Sequence, residues 1–393
     1  MKKILFMVSS MSIGGVEKSL LSLFSIISKE TYSITLLLLE KNGGFLKHVP
    51  DWVRVEEVDW YRNLKPIIMQ PPQKTIASLY YNKKFHKIIP FIWSYIISKK
   101  LNNRYLYYNH VFKNIPKHEV KYDIAISYQG PTDILDFFIA TKVTAKKKIS
   151  WIHFDVTQHS INKKLYKNLY RIYDKLFVVS SQAEIKLKEL IPSVEGKTEV
   201  FMNIISEELI REMSTVNVDF SDEYGGFKIV TVGRLSKEKG QDIAIKVLAD
   251  LRENGYNVNW YCVGEGSARE EYENLINGYN LNNHFFLLGE KDNPYPYIKN
   301  ADIYVQPSRH EGYCLTLAEA KCLYKPIVVT NFTGANEQID NGLNGLIVSC
   351  DVQELYETIK FLIDNPNQKE LLTTNLKSKN AITTNKKEKT FNE

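Results

Sequence analysis

Two stretches of the chain repeat one pattern of apolar and polar positions. Each begins with a short apolar run that predicts a strand, KILFMV at 3–8 and FKIVTV at 227–232. A loop containing glycine follows each run, SSMSIGG in the first case and GRLSKEKG in the second. Each loop leads into a segment with apolar residues on one helical stripe: Val16, Leu20, Leu23, Phe24 and Ile27 in the first, and Ile243, Val247 and Leu251 in the second. Strand, loop and helix in this order open a parallel α/β sheet with a ligand over its strand ends, so the pattern predicts two such sheets.

The second half of the chain alternates regularly between strand and helix patterns. After 227–232, the predicted strands are 258–263, 284–288, 302–306 and 326–330, and the predicted helices are 267–278, 294–300, 315–324 and 352–364. The first half is less regular, with later strands predicted at 123–128, 148–153 and 175–180. This alternation indicates an α/β protein with doubly wound sheets.

Changes of pattern along the chain set the predicted domain boundaries. We assign residues 1–205 to a first domain and 227–375 to a second. Residues 206–226 lose periodicity, turn acidic and end in Gly-Gly, which is typical of a linker. Residues 376–393 are polar and rich in lysine, and we expect this tail to be at least partly frayed.

Composition places the protein among ordinary globular chains. Its 393 residues are 44% apolar and 24% charged, which excludes intrinsic disorder, collagen and low-complexity scaffolds. The four cysteines form no C-x-x-C pair and are too sparse for a disulfide framework, which favours a reducing cytoplasm. The opening MKKILFMVSS is interpreted as a strand and not as a signal peptide. The longest apolar run, IIPFIWSYII, is about half the length that spans a bilayer, so we expect a soluble or membrane-attached protein.

The net charge of +6 is concentrated in one part of the chain. Residues 61–121, the basic aromatic segment, hold twelve Lys and Arg residues, a single acid, Glu119, and eleven aromatic residues. Mixed basic and aromatic surface attracts an anionic membrane face, a lipid diphosphate or a nucleic acid. The alternative is a solvated helical face whose aromatic residues pack in the core.

The stretch PSRHEGYCLTLAEAKCLYKPIVVTNFTGANEQI carries the most informative chemistry. Glu311 and Glu319 stand on either side of a predicted helix start at Leu315 and Thr316. A helix start presents free backbone N–H groups and the positive end of the helix dipole, which favour an anion. Two carboxylates beside an anion site could hold hydroxyl groups of a nucleotide sugar whose phosphates lie between them. Taken alone, two glutamates at this spacing are also common as solvent-exposed helix charges.

The sequence EGYCLTLAE at 311–319 resembles the Glu, seven residues, Glu motif of the retaining glycosyltransferases of family four (glycosyl transferases group 1). The likeness continues in order through further pieces: SIGGVEKSL, WIHFD, VGRLSKEKG, VGEGSAREEYENL, FLLGEKDN and GANEQIDNGLNGLIV. It covers 227–350 almost without gaps, but the first domain only at its start and at WIHFD. Cys314 and Leu315 replace smaller or aromatic residues often found there, and the end of the chain lacks an obvious aromatic helix crossing back to the first domain. The resemblance implies the GT-B architecture, in which two Rossmann-like doubly wound domains face each other across a cleft.

The resemblance also implies roles for particular residues. Arg234 and Lys239 would neutralise the diphosphate as its charge grows in the transition state, with no metal, since the chain contains no D-x-D pair. Glu311 would position the sugar and stabilise charge, and Glu319 would hold the ribose. His153 would touch the donor sugar. The remaining candidates for donor binding are Gly14, Gly15, Gly233, Glu265, Gly266, Gly289, Gly312, Leu315 and Thr316.

Each of these assignments has a structural alternative. Gly14 and Gly15 could serve only a tight turn, His153 could be a satisfied core histidine, and the two cations could be surface charges. His159, His284 and His310 are expected to be structural or solvent-facing.

Together these features predict a retaining, metal-independent hexosyltransferase without a cofactor. The expected donor is a UDP-linked hexose or N-acetylhexosamine. The expected acceptor is a saccharide carried on polyprenyl diphosphate, used for capsular or other cell-surface polysaccharide. We expect a peripheral position on the inner face of the plasma membrane, an anionic membrane surface as partner, and no nucleic acid. Two alternatives stay open: a non-catalytic GT-B partner subunit and a nucleotide-sugar epimerase. An NAD-dependent dehydrogenase is a weaker alternative, because GEGSAR at 264–269 supplies only two of three required glycines.

Overall fold

The chain forms two compact units in the computed structural model, Met1–Ile204 and Ile205–Glu393. The structure describes residues 1–154, 156–157, 161–203, 205, 207–218, 220 and 225–383. His159, parts of the predicted linker and the last ten residues of the predicted tail lie outside the described residues.

The first unit is built on a seven-stranded parallel sheet. Its strands are β1 (Lys2–Val8), β2 (Tyr32–Leu38), β3 (Arg54–Glu57), β4 (Lys121–Gly130), β5 (Thr144–Ile152), β6 (Lys175–Val178) and β7 (Thr198–Val200). Its helices are α1 (Gly15–Ile26), α2 (Tyr61–Met69), α3 (Pro72–Tyr81), α4 (Ile88–Lys100), α5 (Arg104–Val111), α6 (Asp133–Lys142), α7 (Lys163–Ile172) and α8 (Ser181–Leu190).

The second unit is built on a six-stranded parallel sheet. Its strands are β8 (Phe227–Val232), β9 (Val258–Val263), β10 (Phe285–Leu287), β11 (Ile303–Gln306), β12 (Ile327–Thr330) and β13 (Leu346–Val348). Its helices are α9 (Glu207–Met213), α10 (Gln241–Glu253), α11 (Arg269–Gly278), α12 (Tyr295–Asn300), α13 (Leu315–Cys322), α14 (Ala335–Gln338), α15 (Val352–Asp364) and α16 (Pro366–Thr383).

Both sheets follow one plan of strand order. The first is β3-β2-β1-β4-β5-β6-β7 and the second is β10-β9-β8-β11-β12-β13. In each, the order reverses beside the first strand, between β1 and β4 and between β8 and β11. Ligands of open parallel sheets bind beyond the carboxyl ends of the strands at such a reversal. The predicted fold class, α/β with two Rossmann-like doubly wound domains, is confirmed.

Most predicted elements of the second unit occur within two residues of their expected bounds. The differences that remain have physical reasons. The helix predicted to reach 324 ends at Cys322, and Tyr324 adopts a left-handed backbone with φ of 55°. The short elements β13 and α14 escape a periodicity argument because three or four residues cannot show a period. In the first unit, β2 was not predicted; five of its seven residues run consecutively buried, as expected of a strand covered on both faces.

The structure differs from the predicted linker and tail. Within 206–226, Glu207–Met213 forms a helix, and Ile210 and Phe220 are buried in the core of the second unit. Helix α16 continues past the predicted boundary at 375 to Thr383, and Leu376 is buried in the same core. Acidic and polar composition indicated exposed chain at both places, but a few apolar residues are enough to dock each segment on the second unit.

The basic aromatic segment folds into helices α2 to α5, which stand between β3 and β4 in the chain. Some of its aromatic residues pack in the core, as Tyr61, Phe91, Tyr108 and Phe112 do. Others are exposed, including Tyr81 and Trp93. Neither alternative from the sequence therefore describes the whole segment. Within the described part of the chain, no helix combines the length and apolar character needed to cross a bilayer.

Candidate functional site

Four glycines lie at the carboxyl ends of β8, β9 and β10 in the second sheet, and we call this part of the sheet the glycine edge. Gly233 follows β8, Gly264 and Gly266 follow β9, and Gly289 lies beyond β10. The Gly264 N–H donates to the Gly289 carbonyl at 2.9 Å, and the Gly233 N–H donates to Val263 at 3.0 Å. A Cβ at Gly264 would lie 2.1 Å from the Gly233 carbonyl oxygen, and one at Gly266 would lie 2.2 Å from the Leu235 oxygen. At Gly264 and Gly266, backbone therefore packs on backbone and a side chain is excluded, whereas a Cβ at Gly233 or Gly289 would have no neighbour closer than 3.8 Å.

An ion pair lies at the reversal point of the same sheet. Lys239, in the loop after β8, donates to both carboxylate oxygens of Glu311, in the loop after β11, at 2.7 Å each. The lysine side chain is 24% exposed and the glutamate side chain 9%. The two predicted residues, 72 positions apart in sequence, are thus brought into direct contact.

Buried polar residues at the end of β11 hold the Glu311 carboxylate. The Ser308 hydroxyl donates to Glu311 Oε1 at 2.8 Å and accepts from the Gln306 side-chain amide at 2.8 Å. The side-chain oxygen of Gln306, Oε1, accepts from the Tyr304 hydroxyl and, at 3.3 Å, from the Thr316 hydroxyl. Gln306 and Ser308 are each 1% exposed. This chain of hydrogen bonds links the start of α13 to the ion pair and fixes the direction in which the carboxylate points.

The charges around the ion pair leave a net positive balance. Burial acts to lower the pKa of Lys239, but the Glu311 carboxylate outweighs burial and holds that pKa above its ordinary value. Arg234 is exposed in the same loop, and its charge acts on Lys239 in the lowering direction, so the two cations are close. Two cations with one carboxylate at the end of a parallel sheet form a site that attracts an anion.

The loop that carries Lys239 is fixed by contacts on both sides. Arg309 pairs with Asp242 through two contacts of 2.7 Å, and its backbone N–H donates to the Glu238 carbonyl at 2.7 Å. These ties hold the β8 loop against the β11 loop. Gly240 follows Lys239 with φ of +71°, and a Cβ there would lie 2.0 Å from a carbonyl oxygen of the β11 loop. Glycine is required where the two loops meet.

Helix α13 begins at Leu315, as predicted, and no side chain caps its start. Gly312 lies in the loop before it, and Thr316 in its first turn joins the Gln306 network. Glu319, one turn further on, is 2% exposed, and its carboxylate accepts from the Tyr295 hydroxyl at 3.3 Å. Burial, followed by the Glu319 charge, raises the pKa of Tyr295 above its ordinary range, so the tyrosine stays protonated and donates.

Glu265 is partly exposed at the rim of the glycine edge. Its carboxylate pairs with Arg269 at 2.8 Å, one turn along in α11. One oxygen accepts from the Gly266 N–H at 3.2 Å, and the other lies 3.8 Å from where a Cβ of Gly289 would be. The three predicted residues Glu265, Gly266 and Gly289 therefore lie together.

The first unit places Gly14 and Gly15 at its own reversal point. Gly14 precedes α1, and Gly15 is the first residue of that helix. The buried Glu17 carboxylate lies over Gly14, where an added Cβ would come within 2.5 Å of Glu17 Oε2. Glu17 Oε1 also accepts from the Gln129 side chain, at the end of β4, at 3.1 Å. A carboxylate of the protein itself thus occupies the space beside this helix start.

His153 follows β5 and is 7% exposed. Its backbone N–H donates to the Gly130 carbonyl at 2.9 Å, and its ring lies against that of Tyr128 with centroids 4.7 Å apart. Burial lowers the pKa of His153 to about 3, so the ring is neutral at physiological pH. Of the other histidines, His284 contacts the Asn259 side chain at 3.0 Å and His310 is exposed.

Sequence reasoning missed the residues that hold the site together. Gln306, Ser308, Tyr295 and the Arg309–Asp242 pair were not among the candidates. A signal was available for Gln306, since a glutamine that ends a buried apolar strand needs a buried partner. Among the described residues, no group of three or more His, Cys, Asp or Glu is placed to hold a metal ion.

The fold is that of the GT-B class of proteins. Crystal structures with the same fold include Anabaena Alr3699/HepE in complex with UDP-glucose, at 17% identity and a TM-score of 0.65 over 96% of this chain and 94% of that one. They also include TarM of S. aureus with UDP and α-GlcNAc-glycerol, at 14% identity and a TM-score of 0.66 over 96% of both chains.

Within that class, residues 221–379 match the family of glycosyl transferases group 1. The match covers most of the second unit, and the predicted resemblance to this family is confirmed.

Curated relatives include several named glycosyltransferases. One is the Campylobacter jejuni N-acetylgalactosamine-N,N'-diacetylbacillosaminyl-diphospho-undecaprenol 4-alpha-N-acetylgalactosaminyltransferase, 26% identical over 49% of this chain and 53% of that protein. Another is the Staphylococcus aureus capsular polysaccharide biosynthesis glycosyltransferase CapM, 30% identical over 37% of this chain and 40% of that protein. The chain spans about half the length, or less, of the curated relatives it matches.

Proposed function

We propose that this protein transfers a hexose or N-acetylhexosamine from a nucleotide sugar to a saccharide acceptor in cell-surface polysaccharide synthesis. The observation that carries the proposal is the cluster of Arg234, Lys239 and Glu311 beside the glycine edge and near the start of α13, which no side chain caps. The cations would stabilise the growing negative charge of a diphosphate as the bond to the sugar breaks.

The ion pair also gives each partner a task in the reaction. A diphosphate beside Lys239 would share the ammonium group with Glu311, which is held in place by Ser308. Glu311 would then accept from sugar hydroxyls and face the positive charge that develops on the ring. We propose that the anomeric configuration is retained, supported by the match to glycosyl transferases group 1, with the leaving phosphate taking the proton of the incoming hydroxyl.

UDP is the proposed nucleoside diphosphate, supported by the UDP complexes of HepE and TarM. The proposed acceptor is a saccharide on polyprenyl diphosphate, supported by the undecaprenol-linked substrate in the name of the Campylobacter jejuni relative. We propose that the protein meets this acceptor as a peripheral protein on the cytoplasmic face of the plasma membrane.

A donor screen tests the proposal. Full-length protein is incubated with UDP, GDP and ADP sugars and a lipid-linked saccharide, and released nucleoside diphosphate is measured with and without EDTA. We expect release with one UDP sugar, undiminished by EDTA, and loss of release in Lys239→Met.

Lys237→Met is the matched control, because Lys237 is an exposed lysine in the same loop. Its ion pair with Glu271, at 3.5 Å, is also exposed. Conversion of the donor to an epimer without release, or no turnover of any donor, would contradict transfer. Activity that EDTA abolishes and Mn²⁺ restores would contradict the role given to the two cations.

A further inference from the structure

The region from the end of α3 through α4 leaves a large apolar surface uncovered in the first unit. Six apolar or aromatic side chains between 80 and 96 are each 52–83% exposed, and we call them the apolar tip: Tyr80, Tyr81, Phe85, Ile89, Trp93 and Ile96. Within α4, which is IIPFIWSYIISKK, the buried residues are Phe91 and Ser98. A helix this apolar normally hides most of its surface, so the tip has the character of a binding surface.

The tip continues into a groove between α4 and α5. The groove has a volume of about 490 Å³ and is open and mainly apolar. Its lining is Ile89, Pro90, Trp93, Ser94, Ile97 and Leu106. Apolar surface that is both convex at the tip and concave beside it fits a soft, deformable partner.

Exposed lysines stand before helix α4 in the chain and at its end. Lys83, Lys84 and Lys87 are exposed in the turn before α4, and Lys99 and Lys100 end that helix. The chain contains no Asp or Glu from residue 60 to residue 118. The partner is therefore apolar in its interior and anionic at its surface, which is the chemistry of an anionic lipid bilayer.

A protein partner fits these observations less well. Protein–protein interfaces are depleted in lysine around their cores, whereas five lysines flank this apolar surface. Tryptophan and tyrosine beside lysine are typical of side chains that sit at the level of lipid headgroups.

We propose that the apolar tip inserts into the interface of an anionic lipid bilayer, with Ile89 and Trp93 among the acyl chains and Lys83, Lys84 and Lys87 among the headgroup phosphates. The inference deepens the proposed function, on which it rests for its purpose, because a lipid-linked acceptor would be met at this surface. It assigns the membrane contact to one helical region of the first unit.

Flotation with lipid vesicles tests the insertion. We expect the full-length protein to float with vesicles containing phosphatidylglycerol, to bind neutral phosphatidylcholine vesicles much less, and to be released by added salt. Each lysine near an anionic surface strengthens binding about fivefold, so changing Lys83, Lys84 and Lys87 together to glutamate should weaken partitioning at least about 100-fold.

The matched control changes three exposed lysines of the second unit, Lys246, Lys299 and Lys377, to glutamate and should retain most of the binding.

The apolar contribution has its own variants. Ile89→Asp should reduce flotation at least tenfold. Ile185→Asp, which changes an exposed isoleucine elsewhere in the first unit, should leave it unchanged. Brominated lipids should quench tryptophan fluorescence in the wild type and quench much less in Trp93→Phe.

Three results would overturn the inference: equal partitioning onto neutral and anionic vesicles, no partitioning onto either, or equal losses in the test and control variants. Sedimentation that shows a lipid-free dimer dissociated by Ile89→Asp would assign the surface to a second copy instead. Donor turnover with a water-soluble acceptor should be normal in the lysine variants. Vesicle binding without turnover of any donor would refute the proposed function alone, and turnover without vesicle binding would refute this inference alone.

Discussion

Replacing Lys239 with methionine tests the energetic link between the two loops of the site. The change keeps most of the side-chain volume but leaves the Glu311 carboxylate, 9% exposed, without its cation. Removing one partner of a buried ion pair costs about 3–5 kcal/mol. Because Lys239 is 24% exposed and Ser308 still donates to the carboxylate, we expect the lower end, about 3 kcal/mol. For a unit of this size, that lowers the unfolding midpoint by roughly 6–12 °C.

A double-mutant cycle isolates the pair. Lys239→Met, Glu311→Gln and the double variant are compared by urea unfolding at pH 7, and the double variant should be more stable than the sum of the single losses predicts, by about 1–3 kcal/mol. Lys237→Met, which removes an exposed pair, should change stability by less than about 0.5 kcal/mol. Additive single losses would show that Lys239 and Glu311 do not stabilise one another.

The stability difference between wild type and Lys239→Met should depend on pH in a definite direction. The pKa of Lys239 is raised in the folded protein above its ordinary value of 10.5. A group with a raised folded pKa contributes stability that is fully present below the unfolded pKa and lost as the pH rises through the folded one. The gap between wild type and Lys239→Met should stay constant from pH 6 to pH 9 and narrow above pH 10.5. A gap that narrows between pH 7 and pH 9 would contradict the assigned pairing.

Three further predictions concern single residues. His153 has a pKa lowered to about 3 in the folded protein, so it takes up a proton when the protein unfolds in acid. As the pH falls below 6.5, the free energy of unfolding of the wild type, measured with urea, should fall by about 1.4 kcal/mol per pH unit relative to that of His153→Phe. A stability difference that does not change with pH would contradict burial of the neutral ring. Gly240→Ala should destabilise by more than about 1 kcal/mol and by more than Gly255→Ala, whose glycine also has positive φ but open space around it. Glu311→Gln should mainly lower kcat and Glu319→Gln should mainly raise KM for the donor, and matching profiles would contradict their separate roles.

The sequence was most informative where periodicity is long. The helix at 352–364 shows its period over thirteen residues, and the structure has it at the expected position. The strand VNWYCV was recognised as a short apolar run that is buried at every position. Segments that dock through one or two apolar residues, as Ile210 and Leu376 do, look like linker or tail in one dimension. Their burial depends on a surface that only the folded second unit presents.

The site was predictable as a set of residues but not as an arrangement. Motif resemblance selected Lys239 and Glu311 for separate ligand groups, whereas in the structure they bind each other across 72 residues of sequence. Gln306 and Ser308 matter because their hydrogen bonds orient the Glu311 carboxylate, and this orientation depends on the three-dimensional structure. Local spacing carries no information on it.

The glycine edge of the second sheet has a consequence for how such a protein diversifies. At Gly264 and Gly266 any side chain would collide with a neighbouring carbonyl oxygen, so a substitution at either glycine would displace the backbone of the glycine edge. Glu265 and Arg269 at the rim are partly exposed, and each makes one hydrogen bond to the backbone, to the Gly266 N–H and the Leu287 carbonyl respectively, so they can be exchanged at a smaller cost. Evolution of a new ligand preference would therefore proceed through substitutions at the rim residues, while the glycine edge stays unchanged. Laboratory libraries aimed at altered preference should randomise the rim residues and leave the glycines fixed.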